Sequence, residues 1–85
     1  MSAPKVESVK PLRGRRLLVR FANGVERVYD CTQLLHLTMF QPLNNEAFFK
    51  SVKVDAGGYG VSWSDDVDLS EYELWVNGKV PAITE

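Results

Sequence analysis

The fold of this chain is decided by the stretch RRLLVRFANGVERVY, residues 15–29. Two segments rich in β-branched and aromatic residues flank Asn23-Gly24, and an Asn-Gly pair between such segments is a strong signal for a β-hairpin. The stretch therefore predicts two antiparallel strands, residues 15–22 and 25–29, joined by a tight turn.

Two registers of this hairpin are compatible with the turn. A two-residue loop would place Arg20 opposite Arg27, and like charges directly opposite each other destabilise a strand pair. A three-residue loop with Gly24 in a left-handed bulge instead pairs Arg20 with Glu26. The apolar face then holds Leu17, Val19, Phe21, Val25 and Tyr29, and the other face holds Arg16, Arg20, Glu26 and Asp30. Because a one-residue shift would mix these faces, we predict the bulged register.

Further strands are predicted on both sides of the hairpin. Residues 5–12 are strand-like, and Arg13-Gly14 marks a turn before the hairpin. Residues 52–54 and 60–63 are rich in strand-forming types, and the glycine-rich segment 55–59 between them predicts a tight turn.

Three short helices are predicted from their capping residues. Asp30-x-x-Gln33 has the spacing of a capping box, and Asn44 or Asn45 is the predicted cap of a helix over residues 46–51. Ser70-x-x-Glu73 predicts the last helix, which ends at Asn77 with Gly78 in the left-handed conformation.

The resulting order, β-β-β-α-α-β-β-α, predicts an α+β fold. We expect a small, mostly antiparallel sheet of about five strands with short helices packed on one side. Eighty-five residues suffice for one domain, residues 1–85, with an ordered core of about residues 5–80 and a frayed tail at 82–85.

Composition indicates a cytoplasmic protein. Cys31 is the single cysteine, so no intrachain disulfide can form, whereas small secreted domains usually depend on disulfides. The sequence has no apolar run of the length that a signal peptide or a membrane span requires. We therefore expect no association with a membrane.

Charge is distributed unevenly along the chain. Residues 1–29 hold seven basic and two acidic residues, a net charge of +5, and residues 30–85 hold three basic and nine acidic ones, a net charge of −6. An interaction surface is predicted at Arg16, Arg20, Arg27 and Trp75. Its arginines suit an acidic protein or nucleic acid, although the acidic remainder of the chain makes nucleic acid the weaker hypothesis.

No residue set amounts to a catalytic or metal site. Cys31 and His36 are the only cysteine and histidine, and we interpret them as a small buried cysteine and a surface histidine. The run Asp65, Asp66, Asp68, Glu71 fits no calcium-binding loop, so we interpret it as solvated, with Asp68 and Ser70 as caps of the last helix. We predict no enzymatic activity, metal or cofactor, and retain a ligand pocket near Trp63 and Asp68 as an alternative.

The motifs together resemble an uncharacterised bacterial family, domain of unknown function 2442. The resemblance covers roughly residues 5–76 and rests on Phe21, Gly24, Asp30, Leu34-Leu35, Pro42-Leu43, Phe48 or Phe49, Val54, Trp63, Asp68-Leu69 and Leu74. One departure is Ser64-Asp65-Asp66-Val67, where the family often has a small turn with glycine.

The resemblance implies a small domain without assigned catalysis, and some members have been suggested as antitoxins of toxin–antitoxin pairs. The leading hypothesis is therefore a non-enzymatic interaction or regulatory module whose partner is another small protein, encoded by a neighbouring gene. Nucleic-acid binding through the basic hairpin and a small ligand-binding protein or minor enzyme are the alternatives. A homodimer is also retained, because dimerisation covers exposed sheet edges.

Overall fold

The computed structural model describes residues 3–81, which contain six strands, two α-helices and three short 3-10 helices. The strands are β1 (Val6–Leu12), β2 (Arg16–Phe21), β3 (Glu26–Asp30), β4 (Lys53–Val54), β5 (Gly60–Ser64) and β6 (Val67–Ser70). The α-helices are α1 (Glu46–Phe49) and α2 (Glu71–Asn77), and the 3-10 helices span Cys31–Leu34, Thr38–Asn44 and Ala56–Gly58. The predicted tail, residues 82–85, lies outside the described residues.

The six strands form two antiparallel sheets, with orders β1-β2-β3 and β4-β5-β6. The α+β class is confirmed, but the prediction of a single sheet with about five strands is wrong. The unpredicted strand is β6, which sequence reasoning assigned to a turn and a helix cap. Val67 and Leu69 are buried and Asp68 and Ser70 are exposed, so the stretch has the alternation of a half-buried strand.

The hairpin adopts the predicted bulged register. Arg20 lies opposite Glu26, and the backbone N–H of Phe21 donates to the carbonyl of Val25 (2.9 Å). Gly24 has a φ of 87°, in the left-handed region that favours glycine. The inward residues Leu17, Val19, Phe21 and Tyr29 are fully buried.

The helical segments begin at the predicted caps but are shorter or tighter than predicted. The Asp30 carboxylate accepts from the N–H of Thr32, and the following turn is a 3-10 helix. Asn45 caps α1, which ends at Phe49 and not at residue 51. The Ser70 hydroxyl accepts from the N–H of Glu73 and begins α2, as predicted.

The end of α2 differs from the prediction. Gly78 has a φ of −75°, so it is extended and not left-handed. The chain continues straight into an antiparallel bridge, in which the N–H of Lys79 donates to the carbonyl of Val28 (2.8 Å). A Cβ atom at position 78 would lie 2.8 Å from the Cβ of Arg27 and 2.5 Å from the carbonyl oxygen of Leu74. The glycine is therefore required by close packing.

One hydrophobic core joins the two sheets and the helices. Its buried members include Leu17, Val19, Phe21 and Tyr29 from the first sheet, Val61, Trp63, Val67 and Leu69 from the second, and Leu43, Phe49 and Leu74 from the helical segments. Within residues 3–81, no helix has the length and apolar character needed to cross a membrane.

Candidate functional site

Arg16 and Arg20, two residues of the predicted interaction surface, lie on the outer face of β2. Arg20 contacts two carboxylates: its Nε lies 3.3 Å from Glu7 Oε1, and its Nη1 lies 3.5 Å from Glu26 Oε2. Arg16 Nε donates to the carbonyl of Arg13 (3.0 Å). The Arg20 pairs are about half exposed, so each contributes roughly 0–1 kcal/mol of stability. Arg20 therefore lies between carboxylates on both neighbouring strands.

Arg27 and Trp75, the other two residues of that predicted surface, lie on the core-facing side of the same sheet. Arg27 is opposite the buried Val19, and its guanidinium carbon lies 4.4 Å from the centre of the Trp75 ring. The Trp75 ring packs edge-on against Phe21, with centroids 5.0 Å apart and an interplanar angle of 81°. The structure thus divides the four predicted residues between two faces of one sheet.

Trp63 and Asp68, the predicted pocket residues, also point in different directions. The Trp63 side chain is buried, its indole N–H donates to the carbonyl of Phe49 (2.8 Å), and it stacks on the Phe49 ring. Asp68 is exposed on β6, opposite Ser62. Trp63 is therefore a core residue, and Asp68 belongs to a different feature.

That feature is an open groove of about 570 Å³, here called the acidic groove. One wall comes from the 3-10 helix Thr38–Asn44 and α1, and the other from the end of β5, the β5–β6 turn and the beginning of β6. The lining residues are Thr38, Met39, Pro42, Phe48, Ser64, Asp65, Asp66, Val67 and Asp68. Sequence reasoning identified the acidic run but missed its apolar neighbours, because tertiary packing alone brings the two walls together.

Three exposed apolar residues, Tyr72 and Val76 on α2 and Val80 beyond its end, are here called the C-terminal face. These side chains are 58%, 52% and 79% exposed. A depression of about 430 Å³ beside Val80 is also lined by Arg16, Val28, Asp30, Gln33, Asn77 and Lys79. Trp75 was predicted as the interface residue of this helix, whereas its ring packs against Phe21 and Tyr72 is the more exposed aromatic.

Cys31 is fully buried and His36 is exposed, as predicted. Burial, and secondarily the negative charge of Asp30, raises the pKa of the Cys31 thiol to about 12. At neutral pH the thiol is therefore protonated, and a protonated thiol is a poor nucleophile.

A partly buried hydrogen bond connects the first sheet to α2, and a second, exposed bond within α2 shares its acceptor. The Tyr29 hydroxyl donates to Glu73 Oε2 (2.8 Å), and Asn77 Nδ2 donates to the same oxygen (2.9 Å). Burial, and then the hydrogen bond to Glu73, raises the pKa of Tyr29 above its usual range. The bond from Tyr29 holds α2, and with it Tyr72 and Val76, against the first sheet.

The remaining motifs of the sequence lie in a strand, a helix cap and a tight connection. Ser70 caps α2, whereas Asp68 lies within β6, so the prediction that Asp68 caps this helix is wrong. Among residues 3–81, no three His, Cys, Asp or Glu side chains converge as a metal site requires. The glycine-rich segment forms the predicted tight connection, in which the N–H of Asp55 donates to the carbonyl of Gly60 (2.9 Å).

Comparison with known proteins identifies a family. The family model described as "Protein of unknown function (DUF2442)" matches residues 6–79, a range that includes all six strands and both α-helices. Searches of curated proteins and of solved structures gave no match. Because the match covers most of the chain, this protein belongs to the DUF2442 family.

Proposed function

We propose that this protein is a non-enzymatic interaction module that binds another protein through its C-terminal face. The observation that carries the proposal is the exposure of Tyr72 and Val76 on α2. Residues four apart on a helix are surface neighbours, and the outer face of a helix in a small domain is ordinarily polar. Single exposed apolar residues need no explanation, but neighbouring ones indicate a binding surface.

The face also has the properties of an efficient binding surface. Tyrosine is enriched among the residues that contribute most to protein interfaces, since it combines a large apolar ring with a polar tip. The buried Leu74 and the bond from Tyr29 to Glu73 hold α2 against the core. Binding to such a pre-ordered helix costs less conformational entropy than binding to a flexible segment.

The arginines give less support to the nucleic-acid alternative. Affinity for nucleic acid comes largely from cations that neutralise phosphates. Arg20 is shared between Glu7 and Glu26, and Arg27 lies over Trp75. The alternative predicts retention on heparin at low salt, and a protein that flows through would remove it.

An antitoxin-like subunit, which the family resemblance implies, is the most specific form of such a module. It predicts that the neighbouring gene product arrests growth when expressed alone and that co-expression with this protein restores growth. Restoration by the wild type but not by a variant of the C-terminal face would support this form. A neighbouring gene product without any effect on growth would contradict the antitoxin role. It would not contradict protein binding through the C-terminal face.

Size-exclusion chromatography with light scattering tests the proposal itself, using this protein alone and mixed with the neighbouring gene product. The informative variant is Tyr72→Gln with Val76→Gln, which keeps helix-forming residues but removes the apolar face. The matched control is Ala22→Gln with Ala47→Gln, two exposed positions on other elements. We expect a complex for the wild type and the control, and at least about tenfold weaker binding for the variant, because two interface anchors are lost. A monomer that binds no neighbour, or equal binding by all three, would overturn the proposal.

A further inference from the structure

We propose that the acidic groove binds a basic segment of a partner protein, with an apolar side chain held between carboxylates. The groove and the C-terminal face lie on different elements, so this inference does not depend on the proposed function. It rests on the apolar surface inside the groove, on the charges around it and on the open shape of the groove.

The apolar part of the groove is provided by Met39, Pro42, Phe48 and Val67. Met39 is 55% exposed, Pro42 is also exposed, and Phe48 is half-buried. Methionine is unbranched and flexible, and such side chains adapt to different apolar partners. A side chain that entered the groove would exclude water from these residues and gain hydrophobic stabilisation.

The charged part of the groove is entirely acidic among its described lining residues. Asp65, Asp66 and Asp68 are exposed, and no Lys or Arg accompanies them. Elsewhere in residues 3–81, carboxylates form ion pairs: Lys5 with Glu71, Arg20 with Glu7 and Glu26, and Lys50 with Glu46. The three aspartates form no ion pair within the described residues, so their exposed carboxylates are available to a cationic partner.

The apolar surface and the carboxylates of the groove together indicate the class of ligand. Three separate carboxylates at the edge of an apolar surface complement lysine or arginine side chains that flank an apolar residue, and they repel nucleic acid and acidic peptides. The groove is open to solvent, which suits a continuous peptide chain better than an enclosed small molecule.

The binding test uses a display library of random twelve-residue peptides selected on the wild-type protein. The central variant is Asp65→Asn, Asp66→Asn, Asp68→Asn. The charge-matched control is Glu7→Gln, Glu26→Gln, Glu71→Gln, which changes the net charge equally on β1, β3 and α2, none of which lines the groove. Circular dichroism and thermal unfolding confirm that all three proteins are folded.

We expect enrichment of peptides in which Lys or Arg flanks an apolar residue. Fluorescence anisotropy of a selected peptide should show about tenfold or greater loss of affinity for the aspartate variant and less than threefold loss for the control. Affinity should also fall with added salt, and Met39→Gln should weaken binding about fivefold. Failure to enrich any peptide, enrichment without basic residues, or equal loss in the variant and the control would overturn the inference. The inference would also be overturned if the selected peptides bound the aspartate variant as tightly as the wild type.

Discussion

The two sheets of this protein have the same three-stranded antiparallel order but differ in whether their charged side chains form ion pairs. In the first sheet, Arg20 on the central strand is paired with Glu7 on one neighbouring strand and Glu26 on the other. In the second sheet, the aspartates of the β5–β6 turn and β6 line a groove and form no ion pair within residues 3–81. Surface charge is thus neutralised by cross-strand pairing in the first sheet and left exposed beside an apolar groove in the second.

A glycine of each sheet also differs in its surroundings, and this difference predicts the largest effect on stability. A Cβ atom at Gly60 would collide with the carbonyl oxygen of Leu69 on the paired strand, and its φ of 143° is accessible almost only to glycine. A Cβ atom at Gly24 would meet nothing within 4 Å. We therefore expect Gly60→Ala to destabilise the protein by about 3 kcal/mol or more, and Gly24→Ala by about 1 kcal/mol from its φ of 87° alone.

Urea unfolding of both glycine variants measures this difference. A small domain has a free energy of unfolding of only several kcal/mol, so the Gly60 loss can leave the variant unfolded without denaturant. Circular dichroism in buffer then shows the loss of structure directly. Equal losses in the two variants would show that the close approach of β5 and β6 is not what requires glycine.

Alkaline pH provides the next test, because Tyr29 and Cys31 are both buried where β3 ends. The folded pKa of Cys31, about 12, exceeds the value of 9.0 expected for an exposed thiol, so the folded state keeps a proton that the unfolded state loses. Stability from this group is full below pH 9 and is lost as the pH rises toward 12, by at most about 1.4 kcal/mol per pH unit. Tyr29 acts in the same direction.

The control for the pH effect is Cys31→Ala, which removes one of the two groups. Urea unfolding at a series of pH values should show a decline above pH 9 for the wild type and a shallower one for Cys31→Ala. Identical slopes would contradict the assignment of this proton to the buried thiol.

A smaller effect is expected from the hydrogen bond between the first sheet and α2. Tyr29→Phe removes the hydroxyl that donates to Glu73 and leaves the carboxylate with Asn77. We expect a loss of about 1–2 kcal/mol, since the bond is partly buried and its acceptor is charged. Tyr72→Phe, at an exposed position, should change the free energy of unfolding by less than about 0.5 kcal/mol. Similar losses in thermal unfolding would contradict the connecting role of Tyr29.

The smallest effect on stability is expected from the surface charges of the two sheets. Arg20→Ala removes two exposed ion pairs and should cost about 1 kcal/mol or less, decreasing with added salt. Asp65→Asn, Asp66→Asn, Asp68→Asn should leave stability unchanged or slightly raised at low salt, because it removes mutual repulsion without breaking an ion pair among the described residues. Marked destabilisation of the aspartate variant in urea would show that these charges support the fold.

Local rules predicted most of the first sheet from the sequence. Asn23-Gly24 set the turn, and the opposition of Arg20 to Arg27 or Glu26 distinguished the registers. The caps at Asp30, Asn45 and Ser70 were equally local. Such features are readable because each depends on residues a few positions apart.

The second sheet and the candidate sites were less predictable because they depend on distant contacts. The alternation of apolar and polar residues from Val67 to Ser70 is typical of a strand. Ser70-x-x-Glu73 overlaps it and favours a helix cap, so the strand was missed. Gly78 looked like a helix terminator, whereas its close approach to Arg27 becomes visible only after folding. The acidic groove needs the segment around Met39 beside the β5–β6 turn, and no local pattern encodes that contact.

The most direct test of the proposed interaction module is to map amide chemical shifts by nuclear magnetic resonance while the neighbouring gene product is added to labelled protein. We expect the largest shift changes at Tyr72, Val76 and Val80, and no change in the hairpin turn, residues 22–25. Changes centred on Arg16 and Arg20, with α2 unaffected, would contradict the assignment of binding to the C-terminal face. An unchanged spectrum would contradict the proposal that the neighbouring gene product is its partner.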